Sequence, residues 1–485
     1  MSILLERFFG RGGDSDVAIV EDDGRAVTYG RLRARARGIA RALRAGRRSL
    51  DGARVAFLYE PSSAYVETML GVFAAGGTAV PLSPLHTTAE IGHLLETAGA
   101  ERVLAAEGLA GRVAGAEVIG GESEDGDRDG AGVGESDAGL MLFTSGTTGK
   151  PKGVTMSHGA LAATLGSLET AWGWRAADRL LHVLPLHHTH GVVVALFGGL
   201  WAGARVRFAA FDAARVWSLF GESTIFMAVP TVYAKLLEAF RAAPEAVQSG
   251  WRAGAQAMRL LTSGSAALPA SLFRDFAALS GQALLERYGM TEIGMALSNP
   301  LHGERVPGAV GRELPGVQID IVGDDGRLCA ADQPGELRVR SPQMFSGYHG
   351  DPEATARAFD ADGRFRTGDT GARDAGGVVR LLGRTSVDII KSGGYKLSAL
   401  EIESVLREHP AVAEVAVIGV PDPTWGERVT ACVVARAGAA LTVDELRAFA
   451  RDRLAPYKLP RELRLLQNLP KTALGKVQKT TLMKM

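Results

Sequence analysis

The chain has 485 residues, 46% of them hydrophobic, and its 54 Lys and Arg residues balance 54 Asp and Glu residues. This apolar content supplies more than one core and excludes a disordered tail protein. A net charge of zero argues against a general binder of nucleic acids or membrane surfaces, because both functions need an excess of Lys and Arg to neutralise phosphates.

The sequence contains two cysteines, Cys329 and Cys432, which form neither a CxxC motif nor a pattern with histidines. Their spacing supports neither a disulfide framework nor a zinc site and favours a reducing compartment. The first residues, MSILLERFFGRGGD, have short apolar stretches interrupted by Glu6 and make a poor secretory signal. We therefore predict a cytoplasmic protein, with a weak organelle-targeting segment as the alternative.

Short β-type runs alternate with helical patterns between Ala26 and Arg215. The strands are predicted at 54–60, 78–82 and 101–107, and the helices at 65–76 and 89–99. This alternation predicts an α/β fold with mostly parallel sheets covered by helices. The Gly-rich and acidic segment from Gly120 to Asp137 predicts an exposed, mobile linker.

The longest stretch without a formal charge lies between Arg179 and Arg205, long enough to test as a membrane helix. It fails that test, because its four histidines, Pro185 and several glycines would be costly inside a bilayer. A buried strand, loop and helix explains the segment better, so we predict no contact with a membrane.

The alternation resumes with strands at 223–230 and 259–265, separated by a helix. After Pro300 the pattern changes to short strands and turns, which predicts a smaller β-rich subdomain. The last hundred residues alternate helix and strand over the length of one small α+β domain. We therefore predict a large N-terminal domain at 1–383 and a small, mobile C-terminal domain at 384–485.

The most informative motif is LMLFTSGTTGKPKG at 140–153, an apolar strand followed by hydroxyl and glycine residues and by Lys150 and Lys152. Its backbone NH groups, hydroxyls and ammonium groups together suit a phosphate. It is not a Walker A loop, because only two residues separate Gly146 and Gly149 and Pro151 follows Lys150. A flexible surface loop is the alternative. The residues predicted to bind phosphate are Thr144, Ser145, Gly146, Thr147, Thr148, Gly149 and Lys150.

Seven motifs in order resemble the adenylate-forming superfamily of acyl-CoA synthetases, nonribosomal adenylation enzymes and luciferases. They are TSGTTGKPKG (144–153), LPLHHTHG (184–191), SGSAAL (263–268), ERYGMTE (286–292), RTGD (366–369), GRTSVDIIKSGGYKLSALEIE (383–403) and PKTALGK (470–476). The resemblance spans nearly the whole chain. It implies a ligase that joins a carboxylic acid to AMP from ATP, with Mg²⁺ as cofactor, and then transfers the acyl group to CoA.

The resemblance also implies which residues contact the nucleotide. Tyr288 would offer an aromatic face to adenine, and the carboxylate of Asp369 would accept hydrogen bonds from both ribose hydroxyls. The other implied ATP contacts are Ser265, Ala266, Ala267, Glu286 and Arg384. Thr148 and Glu292 would hold Mg²⁺.

Four residues are implied to act in catalysis: Lys152, Thr291, Glu292 and Lys476. Lys476 would reach into the site during adenylation, because a cation there stabilises the charge that develops on the pentacovalent α-phosphate. The nearby Lys479 and Lys484 are expected to be solvated residues of a C-terminal tail.

The superfamily also works by rotating its C-terminal domain between two half-reactions, which implies a hinge. Its distance from Gly393 places the hinge at Ser386, where relatives often carry Asp or Lys. Gly393 and Gly394 would line the path of the pantetheine arm of CoA, since glycine leaves room for a thin chain.

Arg287 is the residue that indicates which carboxylic acid the enzyme activates. A guanidinium in a closed pocket needs an anion, which a second carboxylate on the substrate would supply in bidentate form. An ion pair with Glu286 or Glu292 is the alternative. The surrounding stretches most resemble the malonyl-CoA synthetase branch, which activates malonate and often methylmalonate. The implied acyl contacts are His190, Ser263, Arg287 and Met290.

Two further functions stay open. The first is the same chemistry on another small or medium-chain acid, or with carrier-protein pantetheine as acceptor. The second is a nucleotide sensor without catalysis, which the presence of Lys476, Glu292 and Asp369 disfavours. The predicted partners are malonate, ATP and CoA, with no nucleic acid, and the sequence does not predict an oligomeric state.

Overall fold

The computed structural model describes residues 1–119, 132–145, 151–392, 395–471 and 477–485. Most of the predicted linker at 120–137 lies outside these ranges. So do several predicted site residues, namely Gly146, Thr147, Thr148, Gly149, Lys150, Gly393, Gly394 and Lys476.

The first part of the chain alternates strands and helices as predicted. Helix α4 shows how local sequence sets its bounds: Thr87 and Glu90 form a reciprocal capping box at its start, and Gly99 adopts the left-handed φ of 55° that ends it. The elements are α1 (Ile3–Gly10), β1 (Val17–Val20), β2 (Ala26–Thr28), α2 (Tyr29–Arg44), β3 (Arg54–Leu58), α3 (Ser63–Ala74), β4 (Thr78–Leu82), α4 (Thr88–Ala98), β5 (Arg102–Ala105), β6 (Ala138–Ser145), β7 (Pro151–Ser157) and α5 (His158–Trp172).

The middle of the chain contains the uncharged stretch, which folds as a strand, a loop, a π-helical segment at His190–Phe197 and a short helix. This confirms the prediction, and no helix in the described ranges is long and apolar enough to cross a bilayer. The elements are β8 (Arg179–His182), α6 (Gly198–Ala202), β9 (Arg205–Phe208), α7 (Ala213–Leu219), β10 (Ile225–Ala228), α8 (Pro230–Ala242), α9 (Glu245–Ala257), β11 (Leu260–Ser263), α10 (Ala270–Ser280), β12 (Leu285–Met290), β13 (Gly294–Ser298) and β14 (Arg312–Glu313).

The predicted β-rich subdomain follows. Its elements are β15 (Gln318–Val322), β16 (Gly335–Arg340), β17 (Gly347–Tyr348), α11 (Pro352–Arg357), β18 (Phe365–Arg373) and β19 (Val379–Arg384). Strands β15, β16, β18 and β19 form an antiparallel sheet in that order, whereas β17 pairs with β7. The subdomain thereby contributes Tyr348 to the neighbouring sheet.

Two larger sheets form the body of the N-terminal part. One has the order β14-β13-β12-β11-β10-β8-β9-β1-β2, and the other has the order β17-β7-β6-β4-β3-β5. The central strand pairs of both sheets are parallel, and antiparallel strands lie at the edges. Strand β4 is buried along its whole length, as expected for a parallel strand covered on both faces. The predicted α/β class is confirmed.

The last part of the chain has its own sheet and its own apolar core, which includes Ile402, Val417 and Leu446. Its elements are β20 (Ile389–Ser392), β21 (Tyr395–Ser398), α12 (Ala399–Leu406), β22 (Val412–Asp422), β23 (Gly426–Ala435), α13 (Val443–Ala450), β24 (Glu462–Leu465) and α14 (Lys479–Leu482). The expectation of a solvated Lys479 is wrong: two carboxylates, of Asp388 and Glu403, pair with it in the interior. Lys484 is exposed as expected.

Candidate active site

Strand β12 and the turn after it carry most of the predicted site residues. Successive side chains of a strand point to opposite faces, so Arg287 and Tyr288 have different neighbours. Arg287 lies against the backbone at Gly264, and Tyr288 bonds to Asp369. One strand therefore serves two adjoining regions of the site.

The predicted nucleotide region joins three of the predicted residues through one carboxylate. The Tyr288 hydroxyl donates to Asp369 Oδ2 at 2.6 Å, and Arg384 Nε lies 3.0 Å from Asp369 Oδ1. Asp369 and Arg384 are register partners in strands β18 and β19. Burial raises the pKa of Tyr288, so the phenol stays a neutral donor. The structure thus brings the ERYGMTE, RTGD and GRTSVD motifs together.

The turn after β11 contains the residues predicted to cover adenine. Ser265, Ala266 and Ala267 are exposed, and Ser265 has a left-handed φ of 66°. Beneath this turn the NH of Leu268 donates to the Glu286 carboxyl at 3.1 Å. Burial raises the pKa of Glu286 to about 8. Glu286 therefore supports the turn from inside the protein.

A tyrosine that the sequence did not single out connects two predicted catalytic residues. Tyr348 donates its hydroxyl to Glu292 Oε1 at 3.1 Å, and Lys152 Nζ lies 4.7 Å from the centre of its ring. Burial raises the pKa of Glu292, and the hydrogen bond from Tyr348 opposes that rise. The pairing of β17 with β7 creates this contact, and nothing local in the sequence indicates it.

Thr291 is the remaining described catalytic candidate. Its hydroxyl lies 2.8 Å from the hydroxyl of Thr189, which connects ERYGMTE to LPLHHTHG. Thr144 is on β6 opposite Lys152, Ser145 ends that strand, and Ser386 is exposed in the turn between β19 and β20. The other predicted phosphate and CoA contacts and Lys476 lie outside the described residues.

Arg287 is buried, with 3% of its surface exposed. No described carboxylate lies within ion-pair distance of its guanidinium, and its Nε and Nη2 have no hydrogen-bond partner in the described part of the chain. The alternative of an ion pair with Glu286 or Glu292 is therefore wrong. Burial lowers the pKa of Arg287 to about 10, which still leaves the side chain charged at neutral pH.

The other predicted acyl residues include buried polar groups. Among the described residues, Ser263 Oγ and His190 Nε2 have no hydrogen-bond partner, while His190 Nδ1 lies 3.2 Å from Ser265 Oγ. Burial, and then the charge of Arg287, lowers the pKa of His190 well below its usual value, so the ring is neutral. Met290 is partly buried at the end of β12. The predicted acyl residues thus present a cation and neutral hydrogen-bonding groups.

Gly264 makes room for the guanidinium, a role that the sequence analysis missed. A β-carbon built on Gly264 would lie 2.5 Å from Arg287 Cζ, closer than real side chains approach. The small residues of SGSAAL are compatible with close packing, but nothing local in the sequence indicates which side chain packs there. We refer to Arg287, His190, Ser263 and Gly264 as the acyl pocket.

Two family models match the chain. One described as AMP-binding enzyme matches residues 6–349, and one described as AMP-binding enzyme C-terminal domain matches residues 401–476. The chain belongs to the AMP-binding enzyme family. This confirms the superfamily that the seven motifs indicate.

Curated members of the AMP-binding enzyme family resemble the chain over most of its length. A malonate–CoA ligase of Arabidopsis thaliana is 37% identical over 541 residues, covering 100% of this chain and 88% of that protein. A mitochondrial malonate–CoA ligase of Homo sapiens is 41% identical over 477 residues, covering 89% of this chain and 82% of the relative. ATP-bound MatB from Rhodopseudomonas palustris superimposes with a TM-score of 0.88 at 36% identity, covering 99% of this chain and 98% of that one.

Proposed function

We propose that this AMP-binding enzyme is a malonate–CoA ligase. It would convert malonate and ATP to malonyl-AMP and pyrophosphate, and then CoA and malonyl-AMP to malonyl-CoA and AMP. The observation that carries the proposal is the buried Arg287, which has no carboxylate partner among the described residues. The relatives whose names state malonate as the acid support the same substrate.

Arg287 would select a dicarboxylate through electrostatics. A buried cation without a partner costs several kcal/mol, and a carboxylate that arrives with the substrate offsets that cost. The distal carboxylate of malonate would pair with Arg287. His190 and Ser263 would donate hydrogen bonds to that carboxylate, or would accept one when the carboxyl group is protonated. An apolar acid of similar size would leave the guanidinium unpaired.

Adenylation would begin when an oxygen of the other malonate carboxylate attacks the α-phosphorus of ATP. The bond from that phosphorus to the oxygen bridging the β-phosphate breaks, and pyrophosphate leaves with the electron pair. Thr291 would contact the α-phosphate, and Lys152 and Lys476 would stabilise the developing negative charge. Tyr288, Asp369 and Arg384 would hold the nucleoside.

The residues present fit a Mg²⁺ site. Mg²⁺ prefers oxygen ligands and is usually held by one or two protein groups together with substrate phosphates. Glu292 supplies such a carboxylate, and no group of three or more His, Cys, Asp and Glu in the described ranges could hold a metal without the substrate. Glu292 and Thr148 would hold the ion, which when bound neutralises part of the triphosphate charge.

The second half-reaction would transfer the acyl group to sulfur. The thiol of CoA loses its proton to solvent, its sulfur attacks the malonyl carbonyl carbon, and the bond from that carbon to the AMP oxygen breaks. Gly393 and Gly394 would line the pantetheine path, and the C-terminal domain at 384–485 would move about a hinge at Ser386. These assignments and the cytoplasmic location stay predictions.

The test measures pyrophosphate release with ATP, Mg²⁺ and CoA across acetate, malonate, methylmalonate, succinate, octanoate and benzoate. We expect malonate to give the highest kcat/KM. Arg287→Ala should remove most of the kcat/KM for malonate and leave the KM for ATP unchanged. Arg327→Ala is the matched control, because that arginine is 87% exposed in a turn of the β-rich subdomain. If acetate, octanoate or benzoate outranks malonate, the substrate proposal is wrong. No release with any acid would favour the nucleotide sensor.

A further inference from the structure

Helix α14 begins with a buried lysine that has no place in the reaction proposed above. The side chain of Lys479 is 9% exposed, and its Nζ lies 2.6 Å from both Asp388 Oδ1 and Glu403 Oε1. Both carboxylates are buried as well. We call these three residues the Lys479 cluster.

The Asp388 side of the Lys479 cluster leads to the nucleotide region. Asp388 Oδ2 accepts from the NH of Arg384 at 2.9 Å, and the NH of Asp388 donates to the Arg384 carbonyl at 2.8 Å. Arg384 in turn pairs with Asp369, which accepts from Tyr288. Continuous polar contacts therefore connect Lys479 to the predicted ribose and adenine contacts.

The Glu403 side leads into the core of the C-terminal domain. Glu403 is on α12, and its Oε1 accepts from the NH of Val417 on β22 at 2.8 Å. Leu482, one turn after Lys479, packs with Ala416 and Ile418 of the same strand. Lys479 thus joins the start of α14 to α12 through Glu403, and Glu403 and Leu482 connect it to β22.

The chain just before Lys479 is paired across the segment that contains Lys476. Lys471 and Val477 form an isolated β-bridge, and the NH of Gln478 donates to the carbonyl of Pro470 at 2.8 Å. Lys471 also pairs with Glu414 of β22. The two described ends that flank 472–476 are therefore fixed together, and the Lys479 cluster is next to them.

We propose that Lys479 is a positioning residue for adenylation. Through its pairs with Asp388 and Glu403, Lys479 would fix the two chain ends that flank Lys476 relative to Arg384. The proposal rests on the role in adenylation proposed above for Lys476. In this role Lys479 does not contact the substrate. A residue that only stabilises the C-terminal domain would affect both half-reactions alike, and this difference makes the proposal testable.

The experiment measures the two half-reactions separately in the full-length enzyme. Malonate-dependent exchange of pyrophosphate into ATP reports adenylation, and transfer from synthetic malonyl-AMP to CoA reports the second step. For Lys479→Met we expect the exchange kcat to fall about tenfold or more, with KM for ATP and malonate within about twofold of the parent. Transfer to CoA should change by less than about threefold, and Lys479→Arg should recover most of the exchange. Lys484→Met removes an exposed lysine of the same helical end and should match the parent.

Asp388→Asn is a second variant, which keeps the pair between Lys479 and Glu403. It tests the proposal even when Lys479→Met does not fold. It should lower exchange and leave transfer to CoA unchanged. Equal loss of both half-reactions in these variants, or parental exchange in both, would overturn the positioning role. A parent without malonate-dependent exchange contradicts the malonate proposal instead, and the variants are then compared on the acid that gives the fastest exchange.

Discussion

The protein buries two cations in opposite surroundings. Arg287 has no carboxylate within ion-pair distance in the described part of the chain, whereas Lys479 lies 2.6 Å from carboxylates of both Asp388 and Glu403. Both side chains lose hydration on folding, but among the described residues carboxylates compensate Lys479 and none compensates Arg287. Arg287 is thus a cation that suits an incoming anion, whereas Lys479 is a cation that joins structural elements.

Removing the charge of Arg287 should have the largest effect on activity. Truncating one partner of a buried charge pair costs about 2–5 kcal/mol, so Arg287→Met should lower kcat/KM for malonate roughly 30- to 5,000-fold. The same change should raise the free energy of unfolding of the ligand-free protein by about 1 kcal/mol or more, because a buried unpaired charge disappears. Pyrophosphate release and urea unfolding measure the two effects. A destabilised ligand-free variant would contradict the idea that Arg287 is unpaired.

The same substitution at Lys479 should change stability in the opposite direction. Lys479→Met leaves two buried carboxylates without their cation, and breaking such a pair costs about 3–5 kcal/mol. Urea unfolding should show this loss, and limited proteolysis should locate it in the C-terminal domain. Lys484→Met should change the free energy of unfolding by no more than about 0.5 kcal/mol, as is usual for a surface residue. Equal stability of the two variants would remove the distinction between the buried cations.

A single methyl group should perturb the acyl pocket less than loss of the charge. In Gly264→Ala the new β-carbon would meet Arg287 Cζ at 2.5 Å, so the guanidinium must shift. We expect kcat/KM for malonate to fall about tenfold while the KM for ATP is unchanged. Gly166→Ala is the control, because a β-carbon at that glycine of α5 meets nothing within 4 Å. An equal loss with acetate and malonate would show that Gly264 does not act through Arg287.

The smallest effect should be a shift in pH dependence. Burial raises the pKa of Glu292 and the Tyr348 hydroxyl lowers it, so Tyr348→Phe should raise that pKa further. Activity that needs the carboxylate is present above this pKa and is lost as the pH falls through it. The acid limb of kcat/KM for MgATP should therefore move to higher pH. Tyr457→Phe, at a surface tyrosine, should leave the limb in place, and a shift to lower pH would refute the assignment.

The sequence predicted those parts of the molecule that local pattern controls. The helix predicted at 89–99, the strand predicted at 78–82 and the motif residues of β12 all have signals within a few positions. The contact of Tyr348 with Glu292 has no such signal, because a two-residue strand pairs with distant β7 to make it. Arg287 was predicted as a buried cation, but the lack of a carboxylate partner among the described residues depends on every neighbour in space. The burial of Lys479 was missed for the same reason.

The alternation of side chains along β12 has an evolutionary consequence. Arg287 contacts the turn at Gly264, while the next residue, Tyr288, contacts Asp369 on the other face. Under the roles proposed for Arg287 and Tyr288, a change in one codon after gene duplication would alter the preferred acid while the neighbouring codon keeps the nucleotide contact. Such an arrangement would let duplicated copies of one ancestral gene evolve toward different carboxylic acids while all of them continue to use ATP.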